Sequence, residues 1–403
     1  MTLPLEGLRV VDFSWIIAGP FTTLWLATMG AEVIKVESSV HTDLTRRLPP
    51  FVDGVDGVER SGLHHGLNMS KKSCTIDLRT ERGQELALDL VRQSDVVVEN
   101  FAYGQMERFN LGYDRLREAK PDILFLTSAG LGKTGPHRQY VTFGPPLVAL
   151  TGLASITGYE GERPERSIGG VWADHLSGMT ACLHLLAALE HRERTGEGQL
   201  LEYSMAEAVM AQLPEAYIDF TANGRVWSPS GNRDTVFAPH GFYPCTGDDR
   251  WVAIAVETDA AWASLCQLMP RADWGDDPDL ATAQGRRERA AELDQEMAAW
   301  SRIQDAEALA AALQALGIAA ASASNSRRLL ADEQLRARGF FVEIDHPEVG
   351  RRELSGLPWK ISDAEPRIEA PPLLGADTLW VMTELLGMDD AEFATLVADG
   401  ILV

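Results

Sequence analysis

Asp174 carries a carboxylate at a position where it could act in catalysis. It lies in the segment GGVWADH at positions 169–175, directly before a long apolar stretch that predicts a helix over residues 176–190. Aspartate is a preferred N-cap residue, so a structural role at the start of that helix would account for it. The position also suits catalysis, because a helix N-terminus favours negative charge and an ionised carboxylate can attack an acyl group. The local pattern alone favours the cap and leaves catalysis open.

Other catalytic patterns are incomplete. The run GLGKT at 130–134 is similar to the end of a phosphate-binding loop, yet Thr127 stands where that motif requires its first glycine. The first predicted strand is followed by SWIIAGP at 14–20 rather than by a dinucleotide fingerprint. The sequence has no HExxH, no GxSxG and no metal-ligand cluster. Its four cysteines have neither paired nor zinc-type spacing, which predicts reduced thiols and no metal site.

These candidate residues must be positioned by alternating strands and helices. Apolar runs predict strands at 8–13, 32–36, 95–98, 123–127 and 200–203, and helices separate them, including one at 81–93. Such alternation predicts a doubly wound parallel sheet in an α/β protein. Composition changes after about residue 220, where 223–240 is rich in Gly, Pro, Ser, Asn and Asp. We therefore expect a large domain from 1–220, a linker and small domain from 221–330, and a return to the large domain over 331–403.

Charge and hydropathy exclude some classes of partner. The chain has 403 residues and a formal net charge of -23. That charge argues against nucleic acids and anionic membranes as partners, although a local cationic pocket could still hold an anion. The sequence shows neither a signal-peptide pattern nor an apolar run near the ~20 residues of a membrane span, so we expect a soluble cytoplasmic protein.

Several segments, in order along the chain, carry a family resemblance. They are LEGLRVVDF at 5–13, AGP at 18–20, GAEVIKVE at 30–37, NMSKKSCTID at 68–77, VENF at 98–101, ALEHR at 188–192, TGEGQ at 195–199 and LGADT at 374–378. Together they resemble the class III CoA-transferases, the family of formyl-CoA and carnitine CoA-transferases that also contains the alpha-methylacyl-CoA racemases. The similarity covers nearly the whole chain.

The resemblance implies a fold and an activity. The fold would be a Rossmann-like large domain built from both chain ends with a smaller α+β domain between them. Two ring-shaped monomers would interlock as a homodimer, with a heteromer containing a related subunit as the alternative. The substrates would be coenzyme A thioesters and free carboxylic acids, with no permanently bound cofactor. In that family the aspartate before the long helix is the nucleophile, which assigns the role to Asp174.

The resemblance also implies contacts with coenzyme A. Carried over by position, these fall on Ile17, Ala18, Met69, Ser70, Lys71, Lys72, Asn100, Phe101, Ala102 and Arg108. Without the family, Lys71 and Lys72 would be interpreted as a solvated surface pair. Two basic residues of some family members are replaced here by Ser38 and Ala129, so the contacts to the phosphates must differ in detail.

Two other functions are compatible with the resemblance. A racemase needs a second acid/base group beside the aspartate, and the positions that would supply it are Phe143 and Gly144, neither of which can exchange a proton. A non-catalytic acyl-CoA-binding subunit would not need Asp174. We therefore expect a transferase.

Overall fold

The chain divides into two compact units in this computed structural model, which describes residues 2–163, 165 and 171–403. The first unit contains the described residues of 1–154, 166–226 and 337–403, and the second those of 155–165 and 227–336. The segment 155–165, assigned from sequence to the large domain, therefore belongs with the second unit. The reason is local pairing: Gly231 donates a hydrogen bond to the Gly158 carbonyl (2.9 Å), and Arg233 forms an ion pair with Glu160 (2.9 Å).

Eleven strands and eighteen α-helices are found in the described residues. Strands β1 to β11 are Arg9–Asp12, Glu32–Glu37, Lys72–Thr75, Val96–Glu99, Leu124–Ala129, Gln199–Ser204, His240–Pro244, Trp251–Ala255, Ala319–Ser322, Phe341–His346 and Gly350–Ser355. Helices α1 to α18 are Ala18–Thr28, Gly62–Asn68, Glu81–Arg92, Gln105–Arg108, Tyr113–Ala119, Gly144–Leu150, Trp172–Thr195, Met205–Met210, Pro214–Asn223, Asp259–Leu268, Ala272–Gly275, Ala283–Glu288, Ala290–Ser301, Ala306–Ala315, Ser326–Ala331, Glu333–Ala337, Thr378–Trp380 and Asp390–Ala398.

The first unit is organised around a six-stranded sheet of order β3-β2-β1-β4-β5-β6, in which every neighbouring pair is parallel. Short apolar strands such as VVVE in β4 are buried on both faces, as a parallel sheet covered by helices requires. The chain proceeds outward from β1 to β3 and then crosses to β4. The order therefore reverses between β1 and β4, where a crevice opens at the carboxyl ends of the strands. The predicted α/β class with a parallel sheet is confirmed.

Both ends of the chain contribute to one face of this sheet. The core on that face combines Val11 of β1 and Leu90 of α3 with Val381, Met382 and Leu396 near the C-terminus. The opposite face is covered by α1 and α7, through residues such as Leu26 and Leu185. The second unit has a separate core, in which the antiparallel sheet β7-β8-β9 packs against α10, α13 and α14.

Helices α1 and α7 approach each other closely at Gly178. A Cβ atom at this position would lie 2.7 Å from the carbonyl oxygen of Ala18 and 3.1 Å from the Phe21 side chain. In addition, the Thr22 hydroxyl donates a hydrogen bond to the Gly178 carbonyl across the contact (3.1 Å). Glycine at 178 therefore sets the separation between α1 and the first turns of α7.

We expect Gly178→Ala to destabilise the protein by about 1–3 kcal/mol, because the added methyl group overpacks a tight helix contact. Gly66→Ala is the matched control, since Gly66 also lies within a helix but has open space around its Cβ position. In that control alanine should have a neutral or stabilising effect. Chemical denaturation of both variants measures the difference, and equal stability changes would contradict the packing argument.

Candidate active site

Asp174 lies in the first turn of α7. The helix begins at Trp172, its N-cap residue is Val171, and no side chain caps it. The N-cap interpretation of Asp174 is therefore wrong, because the helix starts earlier than the apolar run that predicted it. A carboxylate in the first turn still interacts favourably with the helix dipole. The flanking residues Gly169 and Gly170 lie outside the described part of the chain.

Burial dominates the electrostatics of this carboxyl group. Asp174 is half-buried, and the loss of solvation raises its pKa from 3.8 to about 6. The positive charge of His175 and a backbone hydrogen bond act in the opposite direction and lower the pKa. At pH 7 the group is thus largely ionised but poorly solvated, which are the properties of a reactive carboxylate nucleophile.

The N-terminus of α1 lies beside the first turn of α7. Ala18 and Ala173 belong to the same apolar cluster, with Leu147 of α6 and Met205 of α8. The ring of Phe21 lies 4.6 Å from that of His175. Two of the predicted contact residues, Ile17 and Ala18, are the N-cap and first residue of α1, and both are buried. The structure therefore brings Ala18 next to the segment that carries Asp174.

Side chains from outside the turn hold the turn before α1 in place. Ile16 adopts a left-handed backbone (φ 66°), which is unfavourable for a β-branched residue. Its N–H donates to the Asp43 carboxylate (3.1 Å). The Asn100 side chain accepts from the N–H of Trp15 and donates to the Trp15 carbonyl, each at 2.8 Å. Asn100, a predicted coenzyme A contact, is therefore committed through its side chain to this turn.

A cavity of about 410 Å³ opens at the carboxyl ends of the strands around the reversal point. Two of the predicted residues, Phe101 and Ala102, line it, as does Ser38. Arg108 ends α4 and is exposed, and its guanidinium donates to Gln105, which also lines the cavity. Most of the remaining walls are apolar or aromatic: Trp15, Val36, Ile76, Leu78 and Phe109.

Met69, Ser70, Lys71 and Lys72 do not line this cavity. Lys71 is buried, and its ammonium donates to Asp12 (3.1 Å), Pro20 (2.9 Å) and Asn68 (3.0 Å). The surface interpretation of Lys71 is therefore wrong. The Ser70 hydroxyl donates to the Arg367 carbonyl at 2.8 Å, and Met69 is buried. Lys72 lies 4.4 Å from the Trp380 ring and 3.8 Å from Asp377.

The residues that line the cavity from this part of the chain are 76–79, directly after β3. The predicted contact residues 69–72 lie before β3 or at its first position, which places them at the amino end of that strand. Residues that face the crevice must follow the strand, because parallel strands open their ligand sites at their carboxyl ends. Identifying KSCT at 72–75 as a strand would have pointed to residues 76–79 as cavity residues.

Arg79 places a guanidinium group at the cavity, where it donates to the Asp77 carboxylate at 2.7 Å. The exposed His41 side chain also lines the cavity.

The described residues contain no group of three His, Cys, Asp or Glu side chains arranged to hold a metal ion. All four cysteines are free thiols and buried. Within the same residues, no helix combines the length and the apolar character needed to cross a membrane.

A model of CoA-transferase family III matches residues 5–378. The chain belongs to this family. It is 32% identical over 409 residues to a succinyl-CoA–D-citramalate CoA-transferase of Chloroflexus aurantiacus, covering 99% of this chain and 98% of that one. It is 34% identical to a succinyl-CoA:mesaconate CoA-transferase of Haloarcula hispanica, covering 90% and 91%. A crystal structure of a CAIB/BAIF family protein from Brucella suis superposes with a TM-score of 0.87 at 29% identity, covering 96% of this chain and 100% of that one.

The predicted family and enzyme class are thus confirmed. The protein is a class III CoA-transferase, and its substrates are coenzyme A thioesters.

The raised pKa of Asp174 predicts how its charge affects stability. The carboxyl group has a pKa of about 6 in the folded protein and about 3.8 when unfolded, so folding weakens as pH rises from 4 to 6 and the full penalty persists above pH 6. Asp174→Asn should remove that penalty. We expect a gain of about 1–2 kcal/mol at pH 8, after allowance for partial exposure, and none near pH 4.

Denaturation at the two pH values measures this effect. Asp114→Asn is the control, because Asp114 is also in the first turn of a helix but is exposed. If Asp174→Asn produced the same stability change at pH 4 and pH 8, the carboxylate would not be poorly solvated in the folded protein.

Proposed function

We propose that the protein transfers coenzyme A from an acyl-CoA donor to a free carboxylic acid through covalent intermediates on Asp174. The supporting observation is a half-buried carboxylate with a pKa of about 6, in the first turn of α7 and beside α1. Such a group is ionised at neutral pH, yet less stabilised by water than a surface aspartate. Asp174 is not the N-cap residue, because the helix starts at Trp172.

In this mechanism the Asp174 carboxyl group is joined first to the donor acyl group and then to coenzyme A. Asp174 attacks the thioester carbonyl of the donor, the C–S bond breaks, and coenzyme A leaves as a thiolate while a mixed anhydride forms. The thiolate then attacks the aspartyl carbonyl, releasing the donor acid as its carboxylate and leaving an aspartyl-CoA thioester. The acceptor carboxylate repeats the two steps in reverse order, and Asp174 is regenerated. Charge is conserved throughout, because each step exchanges one anion for another.

Retention of the thiolate is the requirement that this mechanism places on the protein. The thiolate must remain near the anhydride, because proximity replaces a bimolecular encounter with a local one. We propose that the adenosine part of coenzyme A binds the cavity at the sheet edge, between the aromatic side chains of Trp15, Phe101 and Phe109. Anchoring that remote end keeps the sulfur in the site while the acyl groups exchange.

The phosphate contacts follow from the charges around the cavity. Arg79 and His41 are the basic residues among those that line it. Guanidinium groups pair well with phosphate oxygens. We propose that Arg79 exchanges its contact with Asp77 for one with a phosphate. In this proposal, residues 76–79 replace residues 69–72 among the coenzyme A contacts expected from the family resemblance. The other proposed contacts are unchanged: Ile17, Ala18, Asn100, Phe101, Ala102 and Arg108.

The substrate class is suggested by the relatives. Both are named for transfer from succinyl-CoA to a dicarboxylic acid, citramalate or mesaconate. We propose succinyl-CoA as donor and a dicarboxylic acid as acceptor. Incubating the protein with a panel of acyl-CoA donors and free acids, with mass spectrometry of the thioesters formed, tests this assignment. Transfer confined to monocarboxylic or aromatic acids would contradict it.

An interlocked homodimer is the proposed assembly. Large apolar side chains are exposed on two helices of the first unit: Met179, Leu183 and Leu186 on α7, and Ile218 and Phe220 on α9. Leu183 is 65% exposed and Ile218 is 63% exposed. Exposed apolar patches of this kind commonly mark protein interfaces, which supports a second copy of the chain as the partner.

Asp174→Asn and Asp174→Ala should each reduce transfer by several orders of magnitude, because the nucleophile carries both covalent steps. Hydroxylamine added with a donor acyl-CoA should convert Asp174 to its hydroxamate, which peptide mass spectrometry would locate. Asp114→Asn should retain activity. Near-normal turnover by the Asn variant would exclude covalent catalysis at Asp174.

Arg79→Gln should raise the KM for acyl-CoA about tenfold, which corresponds to about 1.4 kcal/mol. The same variant should change the KM for acyl-dephospho-CoA much less if Arg79 contacts the 3′-phosphate. Arg82→Gln is the matched control: Arg82 pairs with Glu85 and Glu392 and is not among the cavity residues. Equal losses with both thioesters would place the contact elsewhere on the coenzyme.

A further inference from the structure

The loop GLGKT at 130–134 follows β5 directly and is anchored at the carboxyl edge of the sheet. Its Gly130 carbonyl accepts a hydrogen bond from the N–H of Ala206 at 2.8 Å. The carboxylate of Glu202 in β6 accepts a second hydrogen bond, from the N–H of Lys133. The backbone of Lys133 therefore has a fixed position beside β5, from which its side chain reaches the end of β4.

The Lys133 ammonium group makes two contacts with the end of β4. Its Nζ lies 3.0 Å from Oε1 of Glu99, and it donates to the Phe101 carbonyl at 2.8 Å. The Glu99 carboxylate is buried, and it also accepts from the N–H of Phe101 at 2.7 Å. Both backbone polar groups of Phe101 are thus held by one ion pair. The lysine of GLGKT binds oxygens of the protein here, which gives it a different task from the lysine of a phosphate-binding loop.

Phe101 and Trp15 are two aromatic walls of the cavity, and both depend on the segment that follows β4. The Phe101 ring packs edge to face against Trp15, with centroids 5.8 Å apart, and against Phe109, with centroids 6.1 Å apart. Asn100, between Glu99 and Phe101, holds the Trp15 backbone through its side-chain amide. The ion pair therefore fixes the segment that supplies one wall and holds the other.

We propose that Lys133 is a positioning residue for coenzyme A: paired with Glu99, it holds the Phe101 backbone so that the aromatic walls of the cavity are in place before the ligand binds. The inference rests on the proposed binding of adenosine in this cavity. It extends that proposal to a residue behind the walls, because Lys133 is not one of the described residues that line the cavity.

Preorganisation is the physical reason why this pair should affect affinity. A side chain or turn that is already ordered loses less conformational freedom when the ligand binds, so more of the contact energy appears as affinity. Without the ammonium group, the Phe101 carbonyl would lose its donor and the buried Glu99 carboxylate would lose its cation. A buried charge deprived of its partner is unfavourable, and the segment after β4 would move to bring Glu99 closer to water.

Lys133→Met tests the proposal, because methionine keeps most of the aliphatic stem and removes the ammonium group. We expect the Kd for coenzyme A, measured by isothermal titration calorimetry, to rise about tenfold. Lys133→Arg keeps the charge and the donors, and should restore the Kd to within about threefold of the wild-type value. Lys120→Met is the matched control and should leave the Kd unchanged, since Lys120 pairs with Asp122 (2.8 Å) before β5 begins, at its opposite end. Partial unfolding would lower the binding stoichiometry in the same titration and leave the Kd of the folded fraction unchanged.

A double-mutant cycle with Phe101→Ala separates this inference from the proposed function. Phe101→Ala should also weaken coenzyme A binding, and adding Lys133→Met to it should change the Kd less than about twofold, because the ring that Lys133 positions is then absent. Additive losses would overturn the inference. So would an unchanged Kd in Lys133→Met beside a raised one in Phe101→Ala, which would leave the cavity as the coenzyme site. If neither variant changed the Kd, the proposed cavity would be wrong as well. If Lys133→Met does not fold, Lys133→Gln, which also lacks the charge, replaces it with the same expected results.

Discussion

A buried network of ion pairs at the carboxyl edge of the parallel sheet is the interaction on which the site depends. Asp12 pairs with Lys71 (3.1 Å), Lys35 with Asp43 (3.0 Å) and Glu37 with Arg46 (2.9 Å). All six side chains are almost completely buried. Charges removed from water are tolerated only when they are paired and hydrogen-bonded, and loss of one partner costs about 3–5 kcal/mol. The three pairs join β1, β2 and the segments around residues 43, 46 and 71, and they form only when β1 and β2 are in register.

This network determines the course of the chain where it leaves β1. Lys35 donates to the Ser14 carbonyl at 2.6 Å, and Asp43, its ion-pair partner, accepts from the N–H of Ile16. A left-handed isoleucine is a strained conformation that persists only when its surroundings hold it. This turn sets where α1 begins, and α1 packs against α7 at Gly178, one helical turn after Asp174. The position of Asp174 is thus linked to charges buried beneath the sheet edge.

The two parts of the proposed site obey different physical requirements. The cavity at the sheet edge has mostly apolar walls, which suit a flat base, and its ionisable lining residues are Arg79, His41, Glu37 and Asp77. Asp174 instead depends on a balance between desolvation, which favours the protonated acid, and the helix dipole and His175, which favour the carboxylate. The Asp174 carboxylate must be both poorly solvated and ionised to react, because a fully solvated carboxylate attacks weakly and a protonated one does not attack.

The fold class could be predicted from the sequence, because alternating apolar runs and helices lead to a parallel sheet. The family could be predicted as well, because its motifs are spread over nearly the whole chain. The sequence also singled out Asp174 as the candidate nucleophile. It did not determine what the polar residues around the motifs do. Lys71 and Lys72 are adjacent in sequence, yet one is buried in an ion pair with Asp12 and the other lies over Trp380.

The tertiary structure was needed to establish which residues line the cavity and where Asp174 lies in α7. The short strand KSCT directs residues 76–79, rather than 69–72, to the carboxyl edge of the sheet, and a four-residue strand has too weak a pattern to be identified locally. Helix α7 begins before its apolar run, so Asp174 lies in the first turn instead of at the cap. Burial and ion pairing depend on segments far apart in the chain, and local sequence patterns do not encode distances between such segments.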